Sequence, residues 1–151
     1  MSVQTTYTDM GKAYAGQVAD MNPREVISKV AEGDILYGYP AIRGTAENQV
    51  KAPTATGGKF LGVIVYTLGG YSSTNDVDQV SSTEVANVIR AGYVWVKTEQ
   101  TVVAGDPVFF VHTTTVGNFR KDANTNLADA ITGATFETAA NAGDLVLIRL
   151  V

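Results

Sequence analysis

Residues able to do chemistry are few in this 151-residue chain, and they stand far apart. His112 is the only histidine, so no second imidazole exists to complete a metal set or a nucleophile–base pair. It follows Val111 and precedes Thr113-Thr114-Thr115, the setting of a strand-end histidine near solvent. Asp122, Asn124 and Asn126 match the opening of a calcium loop. The position that needs Gly for the sharp turn is Leu127, however, and the position that needs a bidentate Glu is Gly133. Asp76 and Asp78 share one face of a Ser-rich extended segment, which suits either a divalent cation or a solvated loop. Gly57-Gly58-Lys59-Phe60 departs from a phosphate loop, with Pro53 at the place of the first Gly and Phe60 where Ser or Thr must follow Lys. No Gly-x-Ser-x-Gly elbow occurs, and no cysteine is present. The expectation is a protein that is not an enzyme, with no catalytic residue, no cofactor and no metal site.

The bulk properties narrow the partners. Net charge is −4, and the eleven Lys and Arg are scattered, with only Arg120 and Lys121 adjacent. A nucleic-acid surface needs clustered cations, so no direct nucleic-acid partner is expected. Apolar runs such as residues 60–65 fall far short of the roughly 20 residues that span a bilayer, so no membrane partner is expected either. The first residues lack the basic and apolar regions of a secretory signal, which fits synthesis in a cytoplasm. With 45% hydrophobic residues in 151, one domain can bury a sizeable core.

The elements that must position any site are written in turns and strands. Gly33-Asp34, Gly105-Asp106 and Gly143-Asp144 each precede an apolar run. Gly supplies a positive φ and Asp hydrogen-bonds its own backbone, so each reads as a turn into a buried strand. Candidate strands are residues 35–39, 60–67, 84–90, 93–97, 107–113 and 145–151, rich in Val, Ile, Tyr, Phe and Thr. Ala91-Gly92 reads as the turn of a hairpin between residues 84–90 and 93–97. Leu127, Ala130 and Ile131 have helical spacing, which places one short helix in residues 126–132. Residues 22–30 suit either a capped helix or a strand. The fold class is therefore mainly β with little helix, a small single-domain β-sandwich or β-barrel.

Two features point to partners. Residues 1–20 show no period, yet they carry Tyr7, Met10 and Tyr14; they read as a flexible N-terminal arm preceding a β-rich domain at 21–151. Residues 93–96 and 108–111 are apolar on both strand faces, which leaves Tyr93, Trp95 and Phe109 either under a second layer or at an oligomer or partner interface. Tyr37, Tyr39, Tyr71 and Tyr93 offer a different reading, a carbohydrate- or host-surface-binding platform, provided that they share one exposed face.

The order of the pieces resembles a known family. It runs from Gly38-Tyr39-Pro40-Ala41-Ile42-Arg43-Gly44 through Phe60-Leu61-Gly62-Val63-Ile64-Val65-Tyr66 to Ala91-Gly92-Tyr93-Val94-Trp95-Val96. Val103-Ala104-Gly105-Asp106-Pro107-Val108 follows, and Gly133-Ala134-Thr135-Phe136 and Ala142-Gly143-Asp144-Leu145-Val146 close the series. This is similar to the structural cement, or head decoration, proteins of tailed bacteriophages. The resemblance implies a non-catalytic β-rich capsid decoration protein, a homotrimer bound to the major capsid protein on the outer surface of the expanded head, where capsomers meet. It also implies a virion location after synthesis in the host bacterium, and head stabilisation against the pressure of packaged DNA.

Overall fold

One long strand organises the molecule. The computed structural model describes residues 13–19, 24–54, 58–67 and 79–151, and every regular element among them is a strand. These are β1 (Glu25–Ala31), β2 (Ile35–Leu36), β3 (Pro40–Arg43), β4 (Gln49–Lys51), β5 (Phe60–Ile64) and β6 (Gln79–Val80). β7 (Val85–Lys97), β8 (Pro107–Val111), β9 (Phe119–Arg120), β10 (Ala128–Phe136) and β11 (Leu145–Leu150) complete the series. The first half of β7 pairs with β1 on one side and β5 on the other, and β1, β4, β3, β5 and β7 close into a five-stranded ring. Its second half pairs with β11, from Leu150↔Gly92 to Leu145↔Lys97, and continues the sheet through β10, β8 and β9. The mainly β architecture read from the residues is thus a small barrel that shares one strand with an open sheet.

The hairpin expected across Ala91-Gly92 does not form. A hairpin needs its two arms to pair with each other, and here each arm has its own neighbours. Ala91 is opposite Glu25 and Gly92 is opposite Leu150, so the strand passes from one sheet to the other at this point. Gly92 has φ +121°, a region that costs other residues strain, and a Cβ there would lie 3.0 Å from the Arg24 Cβ. The same dipeptide that suggested a reversal makes a corner.

The core is divided where β7 and β5 run side by side. Val88 and Ile89 are both fully buried, but Val88 packs with Val50 and Ile64 inside the ring. Ile89 packs with Val63, Val94, Phe110, Phe136 and Ile148 under the open sheet. The Phe60 ring stacks on Phe110 at 5.3 Å and ties the two bodies together. A strand covered on both faces has no polar alternation, which is why β5 reads as a continuous apolar run.

The helix expected in residues 126–132 is also absent. Asn124, Thr125 and Asn126 form a left-handed turn, with φ between +43° and +64°, and β10 begins at Ala128. Ala130 is opposite Phe109 while Thr135 is opposite Pro107, so three extra residues bulge from β10 between those pairs. The bulge puts Ala128, Ile131 and Ala134 into the core at intervals of three, a spacing that imitates a helix. Residues 25–31 resolve as strand β1; Asn22 and Pro23 lie outside the described residues. Of the Gly-Asp turns, Gly105 and Gly143 adopt φ +96° and +89°, and the Asp106 carboxylate accepts from Val103 N at 3.0 Å. The first differs: Gly33 has no positive φ, and Asp34 instead accepts from Ser82 N at 2.9 Å.

Candidate interaction surface

The face of the open sheet turned away from the core gathers the aromatic residues singled out by sequence. Along β7, Val94 and Val96 are fully buried, so Tyr93 and Trp95 project from the other side and are half-buried. Register continues that face across the sheet. Tyr93 is opposite Arg149 and Trp95 opposite Leu147; Arg149 is opposite Thr135, and Thr135 opposite Pro107. Phe109, two residues on from Pro107, joins the same face and is also half-buried. Tyr93, Trp95 and Phe109 therefore share one surface, with Phe109 three strands from Trp95, a separation of roughly 14 Å across the sheet. Leu145, Leu147 and Arg149 belong to it and went unnoticed in the sequence. The parity of Leu145-Val146-Leu147-Ile148-Arg149 carries the signal, since Arg149 marks the outer side and the leucines share it.

Tyr14 lies elsewhere, on a segment that is built into the fold. Gly16 N donates to Trp95 O at 2.7 Å, Trp95 N to Gln17 O at 3.0 Å and Ala19 N to Tyr93 O at 3.1 Å. Residues 16–19 thus run antiparallel along the free edge of β7, and Tyr66 N donates to Gly16 O at 2.9 Å from the opposite side. That path brings the Tyr14 ring onto Tyr66, stacked at 5.5 Å, while Tyr37 meets Tyr66 edge-on at 5.2 Å. Tyr14 is 67% exposed. Tyr66 was not singled out by sequence, because nothing local marks it as a stacking partner. Tyr7 and Met10 lie outside the described residues, as do Tyr71, Asp76 and Asp78. Tyr37 is buried in the ring core, which removes it from an exposed tyrosine platform, and the Tyr39 ring packs against Gly117.

The charged groups are arranged as struts. Arg120, opposite Phe109 in β9, donates to Glu99 at 2.6 Å and to Asp122 at 3.0 Å. Thr115 Oγ1 donates to the second Glu99 oxygen, and Gln100 Nε2 donates to Asp122 at 2.9 Å. The network ties the loops on either side of β9 to the end of β7. The Gln100 hydrogen bond and then Arg120 hold Asp122 below the ordinary carboxylate range. Around Arg120, burial works against the charge, but the bonds to Glu99 and Asp122 outweigh it and raise the guanidinium pKa. Glu32 is likewise lowered, by the Thr45 backbone and then side-chain hydrogen bonds. Carboxylates with depressed pKa values contribute stability that is present above the unfolded-state pKa and lost as pH falls through the folded one. We expect thermal stability to hold at neutral pH and to decline below about pH 4. Asp122→Asn should flatten that decline; an unchanged acid profile in a melting series would show that the network adds nothing.

His112 sits at the strand end that its sequence predicted, but it is buried, at 5% exposure, and not near solvent. Its Nδ1 is hydrogen-bonded to Thr113 Oγ1 at 2.9 Å, and its ring meets Phe110 edge-on. Asp129 Oδ1 lies 3.7 Å from its Nε2, and the His112 backbone N donates to Leu127 O at 3.0 Å, so a residue placed at a strand terminus is still covered. Among the described residues, no group of three acidic or histidine side chains converges as a metal site requires.

Similarity to known proteins extends over this whole arrangement. A family model described as a structural cement protein, represented by E217 gp24 and Pam3 gp6, matches residues 3–151. A chain in the solved capsid of Myoviridae phage XM1 superposes with a TM-score of 0.77 at 17% identity, covering 99% of this chain and 96% of that one. The N-terminal base of head fibre gp8.5 from bacteriophage phi29 matches with a TM-score of 0.49 at 12% identity, covering 85% and 95%. A comparison with curated proteins finds no match.

Proposed function

From the premise that this chain belongs to the phage structural cement protein family, a family of capsid structural proteins, we propose that it decorates the outside of the assembled, expanded head. It binds the major capsid protein where capsomers meet, as a homotrimer, and acts without catalysis. The observation that carries the reading is the family match across residues 3–151. The surface chemistry agrees with it: a half-buried apolar face around Tyr93, Trp95 and Phe109, with Leu145 and Leu147 alongside, suits contact with protein. Tyr7, Met10 and Tyr14 serve as further contacts from the N-terminal arm.

The mechanism is linkage. A subunit that binds the assembled lattice and not its dissociated parts stabilises the lattice by mass action. A trimer that touches several capsomers gains avidity, since its second and third contacts are intramolecular. Internal pressure then has to break these contacts before capsomers separate. The acidic net charge of −4 suits a protein partner better than the enclosed nucleic acid. Purified protein added to expanded capsids that lack it should co-sediment with them and raise their disruption temperature. Absence of co-sedimentation together with an unchanged disruption temperature refutes the proposal.

A further inference from the structure

The outer face of the open sheet carries free charge of the sign opposite to the molecule's. The chain as a whole has a net charge of −4. On this face Lys97 continues the row of Tyr93 and Trp95 along β7, and Arg149 continues the row of Leu145 and Leu147 along β11. Both cations are exposed, and neither forms an ion pair among the described residues. Other cations are neutralised where they stand: Arg90 meets Glu25, and Arg120, opposite Phe109, meets Glu99 and Asp122. Register also brings an acid to the face. Glu137 N donates to Leu147 O, but the Glu137 carboxylate already accepts from Thr135 Oγ1 at 2.8 Å.

The placement of the two cations defines what fits between them. Arg149 is opposite Tyr93 and Lys97 is opposite Leu145, so they stand at opposite corners of the patch. Four residues of strand rise and one interstrand step set their Cα positions roughly 14 Å apart. Trp95 and Leu147, directly opposite each other, fill the ground between. An extended chain covers that distance in about four residues, with side chains i, i+2 and i+4 on one side. Acids at i and i+4 then reach the cations while an apolar residue at i+2 lies on Trp95 and Leu147. Arg binds a carboxylate through two parallel hydrogen bonds, and Trp, Tyr and Arg are the residue types that anchor interfaces. A second copy presenting the same face is a poor occupant, because two-fold pairing of this patch sets cation against cation. We propose that this face docks an extended acidic segment of the lattice protein, with one carboxylate on Arg149, a second on Lys97 and an apolar side chain on Trp95 and Leu147.

This inference rests on the decoration role, and its test separates the two. Full-length Lys97→Glu/Arg149→Glu protein is compared with wild type by pelleting with expanded capsids at about 50 mM and about 300 mM salt. Arg43→Glu/Lys59→Glu alters two exposed cations of the barrel and makes the same change in net charge away from the face. The face variant should lose roughly five- to tenfold in affinity at low salt, and the barrel variant less than about twofold. Wild-type binding should weaken with salt, and that dependence should largely vanish in the face variant. Lys97→Gln/Arg149→Gln removes the cations without adding repulsion; it is read in place of the reversal if the reversal does not fold, and should lose about threefold. Three outcomes overturn the proposal while leaving the decoration role intact: equal affinity in the face variant and wild type, equal loss in the face and barrel variants, or a changed oligomeric state of the free face variant in sedimentation. Failure of the wild-type protein to pellet with capsids counts against the decoration role itself.

Discussion

Gly62→Ala should destabilise the molecule strongly for a single-methyl change. A Cβ at Gly62 would lie 2.2 Å from Ile89 O and 2.7 Å from Val88 Cγ1. The obstructing carbonyl belongs to the backbone of β7, and β7 is held on both faces by fully buried Val88 and Ile89. Neither strand can retreat without opening one of the two cores. Overpacking ordinarily costs about 1–3 kcal/mol, and a clash against fixed backbone belongs at or above the upper end. For a domain of this size that is a fall in melting temperature of roughly 10 °C. Gly33→Ala is the matched control: it has no positive φ, and a Cβ there meets nothing within 4 Å. It should be neutral or stabilising by up to about 1 kcal/mol, through the unfolded chain. Equal melting temperatures for the two variants would mean that the β5–β7 contact does not organise the fold.

Removal of residues 1–12 should have the largest effect on binding, and removal of residues 1–20 the larger effect on folding. The sequence alone treats residues 1–20 as one arm. Backbone bonds from residues 16–19 to Tyr93 and Trp95, and the bridge between Val18 and Val94, divide it. The 1–12 deletion keeps those bonds and should melt with the full-length protein. It should lose about tenfold or more in capsid affinity, because multivalent contacts are lost as a group. The 1–20 deletion also strips the edge of β7 and uncovers Val94, so its melting temperature should fall. Melting curves and capsid pelleting on both truncations check this. Capsid affinity equal to full length in the 1–12 deletion would show that Tyr7 and Met10 take no part.

How much of this was legible in the chain follows from the range of each signal. Local signals were read well. The turns at Gly105 and Gly143, the β-branched runs and the strand starts at Pro107 and Leu145 are decided within a few residues, and the structure has them where they were expected. The ordered series of these motifs was enough to suggest the cement family.

Tertiary structure decided what depends on partners distant in sequence. Gly92 permits both a reversal and a corner, and the choice fell to Leu150 and Glu25, which lie beside it only in the folded chain. The threefold spacing of Ala128, Ile131 and Ala134 is shared by a helix and by a bulged strand, and pairing with Phe109 and Pro107 selected the strand. Residues 16–19 have no period of their own because their order comes from the exposed edge of β7. Tyr93, Trp95 and Phe109 could be named from sequence; their common face could not, since it is a property of register across four strands. The chain by itself determined the material, strands and turns, because those are short-range choices of φ, ψ and composition. Folding determined the surface, because a face exists only once non-local hydrogen bonds have set the strands side by side.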